Sequence, residues 1–124
     1  MTFRQGFSVV IVGCILAASS CTAYHKGYDD AALKGREELL RQELKGLRAV
    51  IHEYTADKAE LPQSLDDCVK AGYINLIPDD PITQKRDWKL VIGSQPTLRK
   101  PDGIVDVHSA SNAKSSEGTL YSEW

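Results

Sequence analysis

Apolar and polar positions divide the chain into an uncharged opening and a mixed body. Residues 5 to 24 carry no charge and follow the short basic start Met1-Thr-Phe-Arg4. From Asp29 to about Lys58 the apolar positions Leu33, Leu40, Leu44, Leu47, Ile51 and Tyr54 recur at spacings of seven, four, three, four and three. Such spacing draws one stripe along a helix, so a long helix is predicted over about 30–58. Asp29 and Asp30 suit its N-cap and first turn, where carboxylates accept free backbone N–H groups. Glu37 and Arg41, four apart in the favourable order, are expected as a pair on its outer face. The later half of the stripe is expected to pack a core. The earlier half, Leu33 to Leu40, is flanked by charge and is expected to run out towards a membrane as a stalk.

Ala59-Glu60-Leu61-Pro62 breaks that helix, and Ser64-Leu-Asp-Asp67 has the form of a capping box. A short helix follows with Leu65, Cys68 and Val69 inward, and Gly72 supplies a left-handed stop. Tyr73 to Pro81 reads as a rigid connector, because each proline fixes its own φ and restricts the residue before it. Trp88 to Ile92 and Ile104 to His108 read as strands, with Ile104, Asp106 and His108 alternating onto one face. Gly93 to Gly103 and Ser109 to Gly118 read as loops, and Leu120 to Trp124 as a short last strand anchored by its two aromatics. The expected fold is α+β: a long N-terminal α-helix packed on a small antiparallel β-sheet. So few strands cannot stand alone and must bury their apolar face against the helix.

A chain of 124 residues has room for one small domain, and 42% hydrophobic with 26% charged residues argues against disorder. The 15 basic and 17 acidic residues are interspersed, so no basic footprint for nucleic acid is present. Cys14, Cys21 and Cys68 lack the spacing of a zinc knuckle. Two of these three lie in the opening segment, which leaves no disulfide framework for the body.

The basic start and apolar stretch make residues 1–24 an export signal peptide or membrane anchor, with residues 25–124 as the periplasmic body. Three fates fit the segment. Leu16-Ala-Ala-Ser-Ser-Cys21 resembles a lipobox, which would lipidate Cys21, although Ala18 replaces the usual larger aliphatic residue. Ile11-Val-Gly-Cys14 fits the lipobox letters better but leaves a shorter apolar stretch before it. Arg4-Gln-Gly6-Phe7-Ser8 resembles a prepilin peptidase site, cut between Gly6 and Phe7, with Ile11 where pilins carry a Glu. The third fate is an uncleaved anchor, since twenty uncharged residues approach the length of a membrane span. The order of preference is lipoprotein, prepilin, anchor. All three hold the body in the cell envelope outside the cytoplasm, at the inner membrane or on a lipid tether.

The body resembles the pseudopilin family of the type II (general) secretion pathway, in its protein G branch and the wider type IV pilin-like group. The resemblance rests on Leu40 to Lys58, Leu61-Pro-Gln-Ser-Leu-Asp-Asp-Cys-Val-Lys-Ala-Gly-Tyr73, Ile77-Pro-Asp-Asp-Pro-Ile-Thr83, Trp88, Gly103-Ile-Val-Asp-Val-His-Ser109 and Ser116 to Trp124. It covers roughly residues 36 to 124, and the order of the six motifs is more specific than any one of them. The family implies a pilin-like fold, assembly with like pilin subunits or other secretion-machine proteins, and a periplasmic pseudopilus that pushes exoproteins outward. Many members bind calcium in the loop that is Ala110 to Glu117 here. Asp106, Ser109 and Glu117 are the matching candidates. One loop carboxylate beside Lys114 is a poor donor set for a cation wanting several oxygens, so no cofactor is expected.

Catalytic chemistry finds little support. His25, His52 and His108 are scattered, and Cys68 reads as a small core residue. Asp66 and Asp67 are accounted for by helix capping, Asp79 and Asp80 by the turn around Pro78 and Pro81. No nucleophile elbow, HExxH or phosphate loop occurs, so the chain is not expected to be an enzyme. Two functions remain. One is a structural pseudopilin-like subunit; the other is a periplasmic lipoprotein whose pilin-like head serves as a binding module of an envelope complex.

Overall fold

The computed structural model describes the backbone of residues 6–124 and the side chains of residues 27–124. The elements in order are α1 (Gly6–Lys58), α2 (Leu65–Lys70), β1 (Lys89–Ser94), β2 (Asp102–His108) and a final 3₁₀ turn, Tyr121–Glu123. Two compact units are distinguished, Met1–Lys34 and Gly35–Trp124, with their division inside α1. Among the described residues no helix is long and apolar enough to cross a membrane.

The second unit is an α+β fold in which the helix stripe packs on a two-stranded antiparallel sheet. Leu40, Leu44, Leu47 and Ile51 of α1 meet Leu65, Trp88, Ile104, Val107 and Tyr121 in one core. The stripe works because spacings of three and four return side chains to one face of a 3.6-residue helix. Trp88 adds a polar tie: its indole N–H donates to the Pro78 carbonyl at 2.8 Å, satisfying the one polar atom that its burial would otherwise strand.

α1 ends where the sequence predicts. Ala59 takes a left-handed φ of 53°, and its N–H still reaches the Thr55 carbonyl at 3.0 Å. Leu61 N–H then donates to Lys100 O at 3.1 Å, tying the chain beyond the helix to the hairpin loop. The capping box of α2 is complete: Ser64 Oγ accepts from Asp67 N–H, and Asp67 Oδ2 accepts from the Ser64 N–H at 3.2 Å. Gly72 is left-handed at φ 84°, and Cys68 is wholly buried.

Four local expectations are corrected. Asp29 and Asp30 lie inside α1 rather than capping it, because the helix is already formed upstream and no proline interrupts it. Glu37 is not on an outer face; it is 2% exposed. Strict alternation in β2 fails, because Val91 pairs with Asp106 and Ile92 with Ile104, leaving Val105 as a bulge. The extra residue shifts the phase, so Ile104 and Val107 both reach the core while Asp106 and His108 remain neighbours at 3.4 Å. Finally, Tyr121–Glu123 is a 3₁₀ turn rather than a strand, with only Leu120 bridging to Lys114. A turn of three residues per revolution places Tyr121 and Trp124 on one side, where their rings meet at 5.2 Å.

Candidate functional site

The polar chemistry of the second unit gathers along one flank of α1. Glu37 stands at the top of the core stripe, and its carboxylate gathers the loop before the last turn. Oε1 accepts from Ser116 N–H at 2.6 Å and from the Tyr121 hydroxyl at 2.8 Å, while Oε2 accepts from Ser116 Oγ at 2.5 Å. The loop also closes on itself, through Ser115 N–H to Thr119 O at 2.7 Å and Tyr121 N–H to Ala113 O at 3.1 Å. Burial works against the Glu37 charge, but the Ser116 and Tyr121 hydrogen bonds and the Arg41 charge outweigh it and hold the carboxyl below its ordinary value. The same burial and carboxylate push the Tyr121 phenol up to about 12.

One turn further along α1, Arg41 donates to Glu117 Oε1 at 3.0 Å and lies 4.2 Å over the Trp124 ring. Two turns beyond Arg41, Arg48 uses two of its three guanidinium nitrogens. Nε donates to Asp106 Oδ1 at 2.8 Å, and Nη2 donates to Val107 O at 2.9 Å and to the main-chain oxygen of Trp124 at 2.8 Å. A planar guanidinium suits this divergent set better than an ammonium would. His108 Nδ1 also contacts the Trp124 oxygen. Desolvation disfavours the Asp106 charge, but the Val107 N–H, Arg48 and His108 prevail and lower its carboxyl below the ordinary value. Arg41, Leu44, Lys45, Arg48, Glu117 and Trp124 together line an open groove of about 340 Å³.

A second and larger cleft, about 560 Å³, runs beside the last turns of α1. Its apolar side includes Ile51, Leu61, Leu98 and Val105, and its polar side includes Arg48, His52, Gln95 and Asp106. His52 is exposed. No pairing in this cleft supplies a general base held against a nucleophile.

The residues matched to a calcium loop do not converge. Glu117 is given to Arg41, Asp106 to Arg48 and His108, and Ser109 Oγ donates to Asp80 Oδ2 at 2.5 Å. Their donor set does not fit a calcium ion, and the Glu37 carboxylate performs the loop-tying instead. Among the described residues no group of three or more His, Cys, Asp or Glu is placed to hold a metal. Gly6, Phe7 and Cys21, the processing and lipidation candidates, lie on α1 but outside the residues whose side chains are described, as does Ile11.

Sequence reasoning missed Arg48 and the partners of Trp124, placed Glu37 on the wrong face, and read only the turn role of Asp80. One signal was present: Glu37 falls on the stripe itself, between Leu33 and Leu40, where the spacing lapses to seven. An acid on an otherwise apolar stripe marks a buried carboxylate with partners elsewhere in the chain. Asp80, wholly buried, accepts from Ile82 N–H at 2.8 Å and from Ser109 Oγ, so the turn reading held only half of its role.

Comparisons with protein-family models, with curated proteins and with solved structures find no match to this chain.

Proposed function

We propose that this chain is a membrane-anchored structural subunit, a pseudopilin-like component of a type II secretion or type IV pilus-like assembly. The observation that carries the reading is the long helix whose stripe Leu40 to Tyr54 forms the core with the hairpin, in a chain whose motifs follow the pseudopilin order. Such a subunit does its work by packing and needs no catalytic group. The exposed charge of α1 and the hairpin surface would meet like subunits or other proteins of the machine in the periplasm.

A second reading is favoured by two residues of the opening segment. Ile11 occupies the position of the pilin Glu, and Cys21 ends a lipobox-like run. On this reading the chain is a lipid-tethered periplasmic module whose α+β head binds a partner in an envelope complex.

The intact mass and N-terminal peptide of the membrane-extracted protein separate the two, together with cross-linking between copies. A chain beginning at Phe7 that cross-links to itself supports the filament subunit. An acylated Cys21 without self-cross-links supports the lipoprotein module. Recovery of an unprocessed chain from the soluble fraction overturns both.

A further inference from the structure

The groove on the flank of α1 has the chemistry of a receptor for carboxylates. Arg41, Lys45 and Arg48 recur at spacings of four and three, so their side chains project along one side of the helix. The Trp124 ring forms a flat wall against this row, with the Arg41 guanidinium over it. Of the three cations lining the concavity, Arg48 is balanced by Asp106 and Arg41 faces Glu117, which leaves the Lys45 charge without a partner among the described residues. The surplus is local, because the chain as a whole carries a net charge of -2.

The partners of the three cations differ. Arg48 is committed to Asp106 and to two main-chain oxygens. Lys45 is exposed and forms no ion pair with any described carboxylate. Arg41 holds Glu117 at 3.0 Å, but the Glu117 side chain is 64% exposed and the Arg41 side chain 43% exposed. An ion pair that open to water contributes little and exchanges readily for another carboxylate. Glu117 sits on a short loop and approaches the row as the side chain of a bound peptide would. The molecule carries its own example of the ligand.

We propose that Arg41, Lys45 and Trp124 form a docking groove for an acidic peptide segment of a partner protein, with Glu117 as a built-in competitor. Two carboxylates of the segment meet Lys45 and Arg41, and an adjacent apolar side chain lies against Trp124. Charge complementarity sets the orientation and the rate of encounter, while the indole supplies contact area. The groove stands on its own geometry and serves a filament subunit and a lipid-tethered module alike.

The test is fluorescence anisotropy of a labelled hexaglutamate peptide titrated with the full chain in neutral detergent, at low and high salt. Saturable binding that weakens as salt rises is expected. Lys45→Glu is expected to weaken binding about tenfold, and Glu117→Gln to tighten it about threefold, in keeping with the small worth of exposed ion pairs. Glu53→Gln removes the same charge from an exposed position on α1 outside the groove and is expected to change nothing. Equal tightening by Glu117→Gln and Glu53→Gln would reduce the effect to net charge and overturn the groove. Competition by inorganic phosphate as strong as by peptide, or binding to anionic vesicles that Lys45→Glu abolishes while the peptide fails to bind, would also overturn the peptide assignment. Circular dichroism of each variant distinguishes lost binding from lost folding.

Discussion

The Tyr121 hydroxyl donates to Glu37 Oε1 at 2.8 Å across 84 positions of sequence, closing the end of the domain onto the helix that begins it. The carboxylate also takes both hydrogen bonds from Ser116, so one buried side chain organises the loop and the last turn together. A metal ion commonly orders a loop by collecting its oxygens; here a carboxylate collects its donors, with the opposite sign of charge.

Removing this carboxylate leaves three donors without their acceptor: the buried Tyr121 hydroxyl and the two part-buried groups of Ser116. Glu37→Ala is expected to lower the unfolding free energy by about 3 kcal/mol, and Glu37→Gln, which keeps one acceptor oxygen, by about 1.5 kcal/mol. Urea denaturation followed by tryptophan fluorescence measures both. A loss under 0.5 kcal/mol for the alanine variant, against the roughly 1 kcal/mol of one ordinary hydrogen bond, would refute the clamp.

Acid should unfold the domain through the same group. The Glu37 and Asp106 carboxyls lie below their ordinary values of 4.5 and 3.8 in the folded chain, so the unfolded chain takes up those protons first. The stability they contribute is complete above the ordinary values and is lost as pH falls through the lower folded ones. Urea midpoints recorded at descending pH are expected to drop across that interval, and the drop should be shallower in Glu37→Gln.

The alkaline side has the reverse sign. Tyr121 and Tyr73 are pushed up to about 12, the first chiefly by burial and the second chiefly by its hydrogen bond to Asp57. Their contribution is complete below the ordinary value of 10.0 and disappears as pH rises towards the folded one. An ultraviolet titration of phenolate absorbance should show these two ionising late, and Tyr121→Phe or Tyr73→Phe should each delete one late step. An unchanged titration curve in Tyr121→Phe would contradict the buried hydrogen bond.

Backbone constraints predict a contrast between two glycines. A Cβ at Gly103 would stand 2.7 Å from Pro62 O and 2.8 Å from Leu61 Cβ, both held in place by the Ile104 N–H bond to Pro62 O. At Gly118, φ is 86° but nothing lies within 4 Å. Gly103→Ala is expected to cost about 3 kcal/mol through overpacking, and Gly118→Ala about 1 kcal/mol through its left-handed backbone alone. Thermal or urea unfolding orders the two, and the reverse order would mean that the hairpin yields where the close approach implies it cannot.

Periodicity and local chemistry alone determined a good deal of this molecule. The stripe from Leu40 to Tyr54, the capping box at Ser64, the left-handed Gly72 and the burial of Cys68 were all legible, because each depends on residues within a few positions of one another. The core of a helix and its caps are written in short spacings. What tertiary structure decided was every feature whose partner is distant. Glu37 reads as half of a surface pair with Arg41 until Ser116 and Tyr121 arrive from the far end of the domain. Arg48 has no evident role until Asp106, Val107 and Trp124 converge on its fork. The bulge at Val105 and the final 3₁₀ turn were likewise invisible, since alternation is broken there to bring Ile104 and Val107 together in the core and to seat Tyr121 against the helix. Local spacing sets which face a side chain occupies, whereas a buried charge or an extra residue in a strand is stabilised only by groups that folding carries to it.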